Sequence, residues 1–187
     1  MLDVVRRAYG DAALELTAMD ICQTPMKTCQ WYAEWQGIFV ATAVGDVLAF
    51  ESAEPFDIVC SHSFLQFFTP VARTKLMARW RGLLRPGGKV VTVTRIASAG
   101  YIAGVAFRAR VLREAERGRT RLDIAPELLA DHAARYIAGA ARHHLSSIAE
   151  AERLFEAGGF SLDKLELKRS AGVAHDATYA LIVATRT

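Results

Sequence analysis

Apolar residues recur along this chain at two spacings, one typical of helices and one typical of buried strands. The helical spacing predicts helices over 2–9, 25–36, 71–84 and 146–157. Short apolar runs predict strands over 14–19, 38–44, 56–60, 89–94, 162–167 and 179–184. Strands that alternate with helices are typical of parallel crossover units, because parallel strands cannot be joined by a tight turn. The pattern therefore predicts an α/β domain.

The segment from residue 56 to 91 carries the clearest signals. Phe56 and Asp57 begin an apolar strand, and a helical run follows it. Pro86, Gly87 and Gly88 then turn the chain directly into a second apolar strand. Ahead of the first helix of the alternating pattern, Thr24 is expected to be the N-cap and Pro25 a first-turn residue.

Residues 96–145 depart from this alternation, because they have helical spacing and no strand signal. We expect one domain over residues 1–187, with 96–145 as a helical insertion. Between Arg108 and Arg121 there are six arginines and two glutamates. They form either a solvated helix face or a cap that attracts an anionic substrate.

Composition and charge argue against several classes of protein. The net charge of +3 is small, and no nucleic-acid-binding module accompanies the basic residues, so nucleic acid is not an expected partner. No apolar run approaches the roughly 20 residues that span a bilayer. The three cysteines lack metal-ligand spacing, so we expect free thiols, no metal and a cytoplasmic location.

The same motifs resemble those of the class I S-adenosylmethionine-dependent methyltransferases. Phe56-Asp57 and Arg85-Pro86-Gly87-Gly88 are similar to motifs at the fourth and fifth strands of that family. Gly158-Gly159-Phe160 and the last two strands resemble its C-terminal helix and antiparallel pair. The resemblance implies a doubly wound Rossmann-like sheet, mostly parallel with a C-terminal antiparallel strand.

The resemblance also implies a cofactor site for S-adenosylmethionine. Asp20 would accept hydrogen bonds from the ribose hydroxyls, a task that suits a carboxylate. Asp46 and Val47 would lie beside the adenine, and residues 61–63 would follow the methionine part. The implied site is Asp20, Ile21, Gly45, Asp46, Val47, Ser61, His62 and Ser63. His62 is the candidate general base.

Substrate residues are expected at the carboxyl ends of the strands, where ligands bind in doubly wound sheets. The insertion begins at that edge of the predicted sheet. The candidates there are Arg95, Tyr101, Tyr136 and His143.

One departure from the family is large. No segment of this chain resembles the family's first strand or its glycine-rich loop. That strand lies between the second and fourth, so its absence would leave two apolar strand edges facing a gap. Three explanations stay open. The chain could start downstream of the true start, or another segment, a second copy or a partner chain could complete the sheet. The third is a non-catalytic relative, or a direct pairing of the second and fourth strands that closes the gap.

The expected function is methyl transfer from S-adenosylmethionine to a small-molecule acceptor, which could be anionic. One alternative is a non-catalytic methyltransferase-like subunit or binding module. Another is a fragment of a nicotinamide-dependent dehydrogenase, since an acidic residue after the second strand serves the ribose there too.

Overall fold

The structure, a computed structural model, describes residues 2–9, 14–96, 105–117, 124–139, 143–171 and 176–187. Its strands are β1 (Leu16–Asp20), β2 (Val40–Val44), β3 (Phe56–His62), β4 (Leu84–Ile96), β5 (Phe160–Ala171) and β6 (Asp176–Arg186). Its helices are α1 (Leu2–Tyr9), α2 (Gln23–Gln36), α3 (Pro70–Leu83), α4 (Val105–Glu116), α5 (Pro126–Gly139) and α6 (Ile148–Ala157). A short 3₁₀ turn covers Leu65–Phe67. Within these ranges, every helix is too short or too polar to cross a membrane.

The strands form a doubly wound arrangement in two parts. β1 pairs with β2 in parallel, and β3, β4, β6 and β5 form a four-stranded sheet in that order. In the four-stranded sheet only β6 runs against its neighbours. The predicted fold class, with its C-terminal antiparallel strand, is confirmed. Among the described residues no strand lies between β1 and β3, so each of them has one unpaired edge.

The parallel pairing of β3 with β4 extends further than the sequence predicts at both ends. β3 continues through His62 because Ser61 pairs with Thr92 and His62 with Val93. The Pro-Gly-Gly segment lies within β4, where the pairing jumps from Phe56–Leu84 to Ile58–Lys89. Residues 85–88 therefore form a bulge rather than a separate turn.

Gly88 is required in this bulge by close backbone contacts. A Cβ atom on Gly88 would lie 2.9 Å from the carbonyl oxygen of Arg85 and 3.1 Å from that of Asp57. Both atoms belong to the backbone and cannot yield as a flexible side chain would.

The start of α2 differs from the prediction. The helix begins at Gln23 with Cys22 as its N-cap, so Thr24 lies inside the first turn. The Asp20 carboxylate accepts a hydrogen bond from the Cys22 amide at 2.8 Å, which turns the chain into the helix immediately after β1. At α3, by contrast, Thr69 caps the helix by accepting from the Ala72 amide.

The main core lies between α3, α6 and one face of the four-stranded sheet. Trp80 and Met77 from α3 and Phe155 from α6 are fully buried there. They pack against Val90 and Ile182 of the sheet. Burial of such side chains is the main source of stability in this part of the chain.

Residues 96–145 include the two helices α4 and α5, which pack on each other. An ion pair of 2.6 Å between Arg108 and Asp131 joins them. Ile96 and Leu145 form an isolated parallel bridge, so both ends of the segment meet at the carboxyl end of β4. This agrees with the predicted helical insertion, although Ile96 belongs to the strand.

A buried arginine connects the insertion to the main core. The Arg73 side chain on α3 is only 2% exposed. Its guanidinium donates to the Glu150 carboxylate at 2.9 Å, to the Leu65 carbonyl at 3.2 Å and to the His143 carbonyl. Burial lowers the pKa of Arg73, and the Glu150 carboxylate opposes that effect. The three partners lie in separate segments, so this one side chain holds them together.

We expect Arg73→Met to destabilise the fold by about 3 kcal/mol, because it leaves Glu150 and two carbonyl groups without their buried donor. Lys75→Met is the matched control, since Lys75 is exposed on the same helix. The control should stay within about 0.5 kcal/mol of wild type. Urea unfolding followed by circular dichroism measures both, and equal midpoints for the two variants would contradict the role of Arg73.

Stability should also depend on pH through Glu150. Burial alone would raise the pKa of Glu150, but hydrogen bonds from Ser146 and the charge of Arg73 lower it below the usual 4.5. A carboxyl group with a lowered folded-state pKa stabilises the fold above its unfolded pKa, and this is lost as pH falls through the folded value. Stability should therefore decline below about pH 5.

Glu150→Gln should show a shallower decline with acid, measured by urea unfolding at several pH values. Asp163 and Glu166, whose pKa values are also lowered, account for the dependence that remains. Glu152→Gln, an exposed position on the same helix, is the control and should keep the wild-type slope. An unchanged slope in Glu150→Gln would show that other groups control the acid response.

Candidate cofactor site

A cavity of about 580 Å³ lies between the unpaired edges of β1 and β3. Residues 17–20 of β1 form one wall, and residues 58–62 of β3, with Phe56, form the other. Cys29, Trp31 and Tyr32 of α2 and Trp80 and Leu83 of α3 also line it. In a doubly wound sheet, successive strands are added outward from the centre, in one direction for the first half of the chain and in the other direction for the second half. Because the crossovers in both halves are right-handed, α2 and α3 lie on opposite faces of the sheet. Two strand edges and two helices therefore contribute the walls of this partly open cavity.

Asp20 is the last residue of β1 and lines the carboxyl end of the cavity. One carboxylate oxygen accepts from the Cys22 amide, which leaves the other free of hydrogen bonds among the described residues. The Asp20 carbonyl accepts from the Gly45 amide at 3.0 Å. These bonds hold the ends of β1 and β2 together.

The segment after β2 brings Val47 to the cavity. Asp46 is exposed, and its carboxylate accepts from the Leu48 amide at 2.9 Å, which closes the turn. Val47 lines the cavity and packs against the main core. Gly45 and Asp46 lie next to the lining without forming part of it, and Ile21 is 78% exposed away from it.

The carboxyl end of β3 contributes two predicted residues to the lining. The Ser61 hydroxyl lies 2.7 Å from the Thr92 hydroxyl across the ladder. His62 is exposed at the lining, with its ring centroid 6.3 Å from that of Tyr179. Ser63 has φ of 52°, and its amide donates to the Val93 carbonyl at 2.7 Å. Non-glycine residues with positive φ cluster at functional sites.

Of the predicted substrate residues, the two whose side chains the structure describes, Arg95 and His143, do not line this cavity. Arg95 lies half-buried near the carboxyl end of β4. His143 is half-buried where the insertion returns to the core, and its amide donates to the Gln66 carbonyl at 2.6 Å. Tyr101 lies outside the described residues, and of Tyr136 the structure describes only its place in α5.

Several lining residues were not predicted. The structure adds the thiols of Cys29 and Cys60 and the rings of Trp31, Tyr32 and Trp80. Burial raises the pKa of both thiols. The sequence contained one signal for these residues, the aromatic cluster between Trp31 and Trp35. So many large side chains on one short helix indicate that the helix borders a cavity or an interface. Which strand edge those rings approach depends on the fold.

The electrostatic character of the cavity is mildly acidic. Among its described lining residues, Asp3 and Asp20 are acidic, and none is Lys or Arg. Asp3 forms an ion pair with Arg7 at 2.9 Å, so Asp20 is the uncompensated carboxylate. This arrangement favours a ligand that is cationic or rich in hydrogen-bond donors.

The comparisons with known proteins agree with this geometry. A family model described as a methyltransferase domain matches residues 3–92. The match runs from α1 into β4 and includes every predicted cofactor residue. No curated protein matches the chain significantly.

Several solved structures share the fold. An S-adenosylmethionine-dependent methyltransferase from Methanosarcina mazei is 16% identical, with a TM-score of 0.66 over 99% of this chain and 85% of that one. The 1,6-didemethyltoxoflavin-N1-methyltransferase of Burkholderia thailandensis was solved with 1,6-didemethyltoxoflavin and S-adenosylhomocysteine bound. It is 17% identical, with a TM-score of 0.62 over 91% of this chain and 60% of that one. The cyclase SpnF is 15% identical, with a TM-score of 0.64 over 97% and 69%.

Residues 3–92 match the methyltransferase-domain family model, and the chain has the fold of the class I S-adenosylmethionine-dependent methyltransferases. The cyclase with the same fold shows that the reaction must be argued from the site.

Ser63 offers a test of the local backbone. We expect Ser63→Val to lose about 1–2 kcal/mol, because a branched side chain is strained at positive φ. Ser63→Gly should stay within about 0.5 kcal/mol of wild type, because glycine adopts this conformation without a steric penalty. Urea unfolding measures both, and equal stability of the two variants would show that residue 63 does not hold positive φ in solution.

Proposed function

We propose that the carboxyl end of the cavity binds S-adenosylmethionine and that the chain transfers its methyl group to a small-molecule acceptor. The observation that carries the proposal is the meeting of Asp20, Val47, Ser61 and His62 at one cavity. They come from three separate strand ends within the segment that matches the methyltransferase family. That family match favours methyl transfer over the nicotinamide-dependent alternative.

The lining suits this cofactor chemically. The sulfonium carries a positive charge, and the lining has an uncompensated carboxylate and no Lys or Arg among its described residues. Asp20 has a free carboxylate oxygen that would accept from the ribose hydroxyls. The cofactor supplies an already activated methyl group, so the chain's own task is alignment and exclusion of water.

The neighbouring residues take the remaining roles. Asp46 and Val47 would lie beside the adenine, with Val47 giving an apolar contact. The backbone of residues 61–63 would follow the methionine part, and the hydrogen bond from Ser63 to Val93 keeps it in place. His62 would accept a proton from the acceptor where the reaction requires it.

The acceptor would approach from the insertion. The isolated bridge between Ile96 and Leu145 places both ends of that segment at the carboxyl end of β4. Arg108 and Arg117 are engaged in ion pairs with Asp131 and Glu114, whereas Arg113 is exposed on α4. Such a surface suits an acceptor with a carboxylate or another anionic group.

The unpaired edges of β1 and β3 favour a second candidate, a methyltransferase-like subunit without activity of its own. That candidate predicts that the folded chain does not bind S-adenosylhomocysteine. The two candidates therefore differ in one binding measurement.

Calorimetric titration with S-adenosylhomocysteine should show saturable binding, and Asp20→Asn should weaken it about tenfold to a hundredfold. The expected loss is about 1.4–2.8 kcal/mol, as for hydrogen bonds to a charged group. Asparagine keeps an oxygen for the Cys22 amide, so the variant removes charge while retaining the turn.

Asp57→Asn is the matched control, because Asp57 is an exposed carboxylate on β3 that pairs with Arg85 outside the cavity. It should bind like wild type. Absence of binding by the folded chain would favour the inactive subunit, and equal losses in the two variants would remove Asp20 from the site.

A further inference from the structure

A second cavity, of about 350 Å³, lies at the edge of the four-stranded sheet opposite the candidate cofactor site. It is a groove between the ends of α3 and α6, close to where β4 begins and β6 ends. Among its described lining residues there are two arginines and a hydroxyl, and none is acidic. The lining is Thr74, Ala78, Arg81, Gly82, Ala157, Gly158 and Arg186. A concave site of this volume suits a small molecule.

One face of α3 supplies half of this lining. Thr74, Ala78 and Arg81 are spaced at i, i+4 and i+7, so they lie along one stripe of the helix. Met77 and Trp80, on the other side of the helix, are buried in the main core. The stripe therefore has no part in the core, and its polar groups point into the groove.

Two glycines at the end of α6 leave the room that the groove needs. A Cβ atom on Gly158 would lie 2.8 Å from the Cβ of Met77, so the close approach of α6 to α3 requires glycine there. Gly159 has φ of 79°, and a Cβ on it would lie 2.8 Å from Nε of Arg81. The bare backbone at Gly159 thus makes space for the Arg81 side chain.

Both guanidinium groups contact backbone carbonyls. Arg186 is half-buried and donates from Nη1 to the Leu84 carbonyl at the end of α3. Arg81 donates from Nη2 to the carbonyl oxygen of Thr187 at 3.5 Å, a long contact. Among the described residues, neither arginine forms an ion pair with an Asp or Glu side chain. A guanidinium has five N–H donors, so each group keeps donors for a ligand.

We propose that this cavity binds a phosphate group, either as inorganic phosphate or as part of a small organic phosphate ester. Guanidinium groups bind phosphate oxygens through paired N–H donors, and the Thr74 hydroxyl supplies another donor. A phosphate ester group carries about −1.5 to −2 charges at pH 7, which matches two arginines without acidic partners. Ala78 and Ala157 offer an apolar surface to the remainder of an ester.

Calorimetric titration of the full chain tests this site with two probes, inorganic phosphate and phenyl phosphate, in chloride buffer of constant ionic strength. Both should bind with saturation at one site. Tighter binding of phenyl phosphate would support an ester as the ligand, and equal binding would support free phosphate. Absence of saturable binding by either probe would overturn the proposal.

Arg81→Gln and Arg186→Gln should each weaken phosphate binding about tenfold or more, because each removes a charged donor. Lys75→Gln is the matched control, since it removes the same charge from an exposed position on α3 outside the lining. It should bind phosphate like wild type. Equal losses in Arg81→Gln and Lys75→Gln would indicate a general effect of net charge and overturn the site.

Gly82→Asp keeps both arginines and decides the question if their replacement disturbs folding. A Cβ on Gly82 meets no atom within 4 Å, so a side chain can extend into the groove. The aspartate would pair with the arginines and repel phosphate, whereas Gly82→Asn has nearly the same shape without the charge. The aspartate variant should bind phosphate at least tenfold more weakly than the asparagine variant. Equal binding by the two would overturn the proposal.

The phosphate site is independent of methyl transfer, because it lies at the other edge of the sheet from Asp20 and His62. Saturable phosphate binding by a chain that does not bind S-adenosylhomocysteine would support the site and count against the proposed function. Competition between phosphate and S-adenosylhomocysteine for the wild-type chain would place phosphate in the cofactor cavity and overturn the second site.

Discussion

The parallel ladder between β3 and β4 positions both the core and the candidate site. One face of it carries Val90 into the main core with Trp80 and Phe155. Its carboxyl end places Ser61 and His62 at the cavity. A ladder of this kind needs a helical crossover, so α3 is held against the sheet by the same connection. The same ladder therefore determines both the folding of this half of the chain and the geometry of the site.

The insertion is attached to this unit through a polar connection. Arg73 joins the turn after β3, the end of the insertion and α6 through Leu65, His143 and Glu150. A buried guanidinium is stable only when its donors have partners, so the three segments must assemble together. The side of the site from which an acceptor would approach thus depends on an interaction outside the cavity.

Sequence reasoning was most successful where a local pattern determines local structure. The alternation of strands and helices and the antiparallel last strand match the structure, whereas the Pro-Gly-Gly segment forms a bulge inside β4 instead of the predicted turn. It was least successful at ends and contacts. Thr24 is not a cap, because the Asp20 carboxylate turns the chain earlier. The partners of Arg73 could not be predicted, because they lie far apart along the chain.

The sequence by itself determined the class of fold, the order of its elements and the set of polar residues at strand ends, since these follow from local spacing and residue chemistry. It also indicated that a gap would separate two strands. Only the tertiary structure decided that Trp31 and Trp80 line that gap and that Asp20 and His62 reach the same cavity. The physical reason is that strand order and helix packing are non-local, so residues that share no pattern become neighbours only when the sheet assembles.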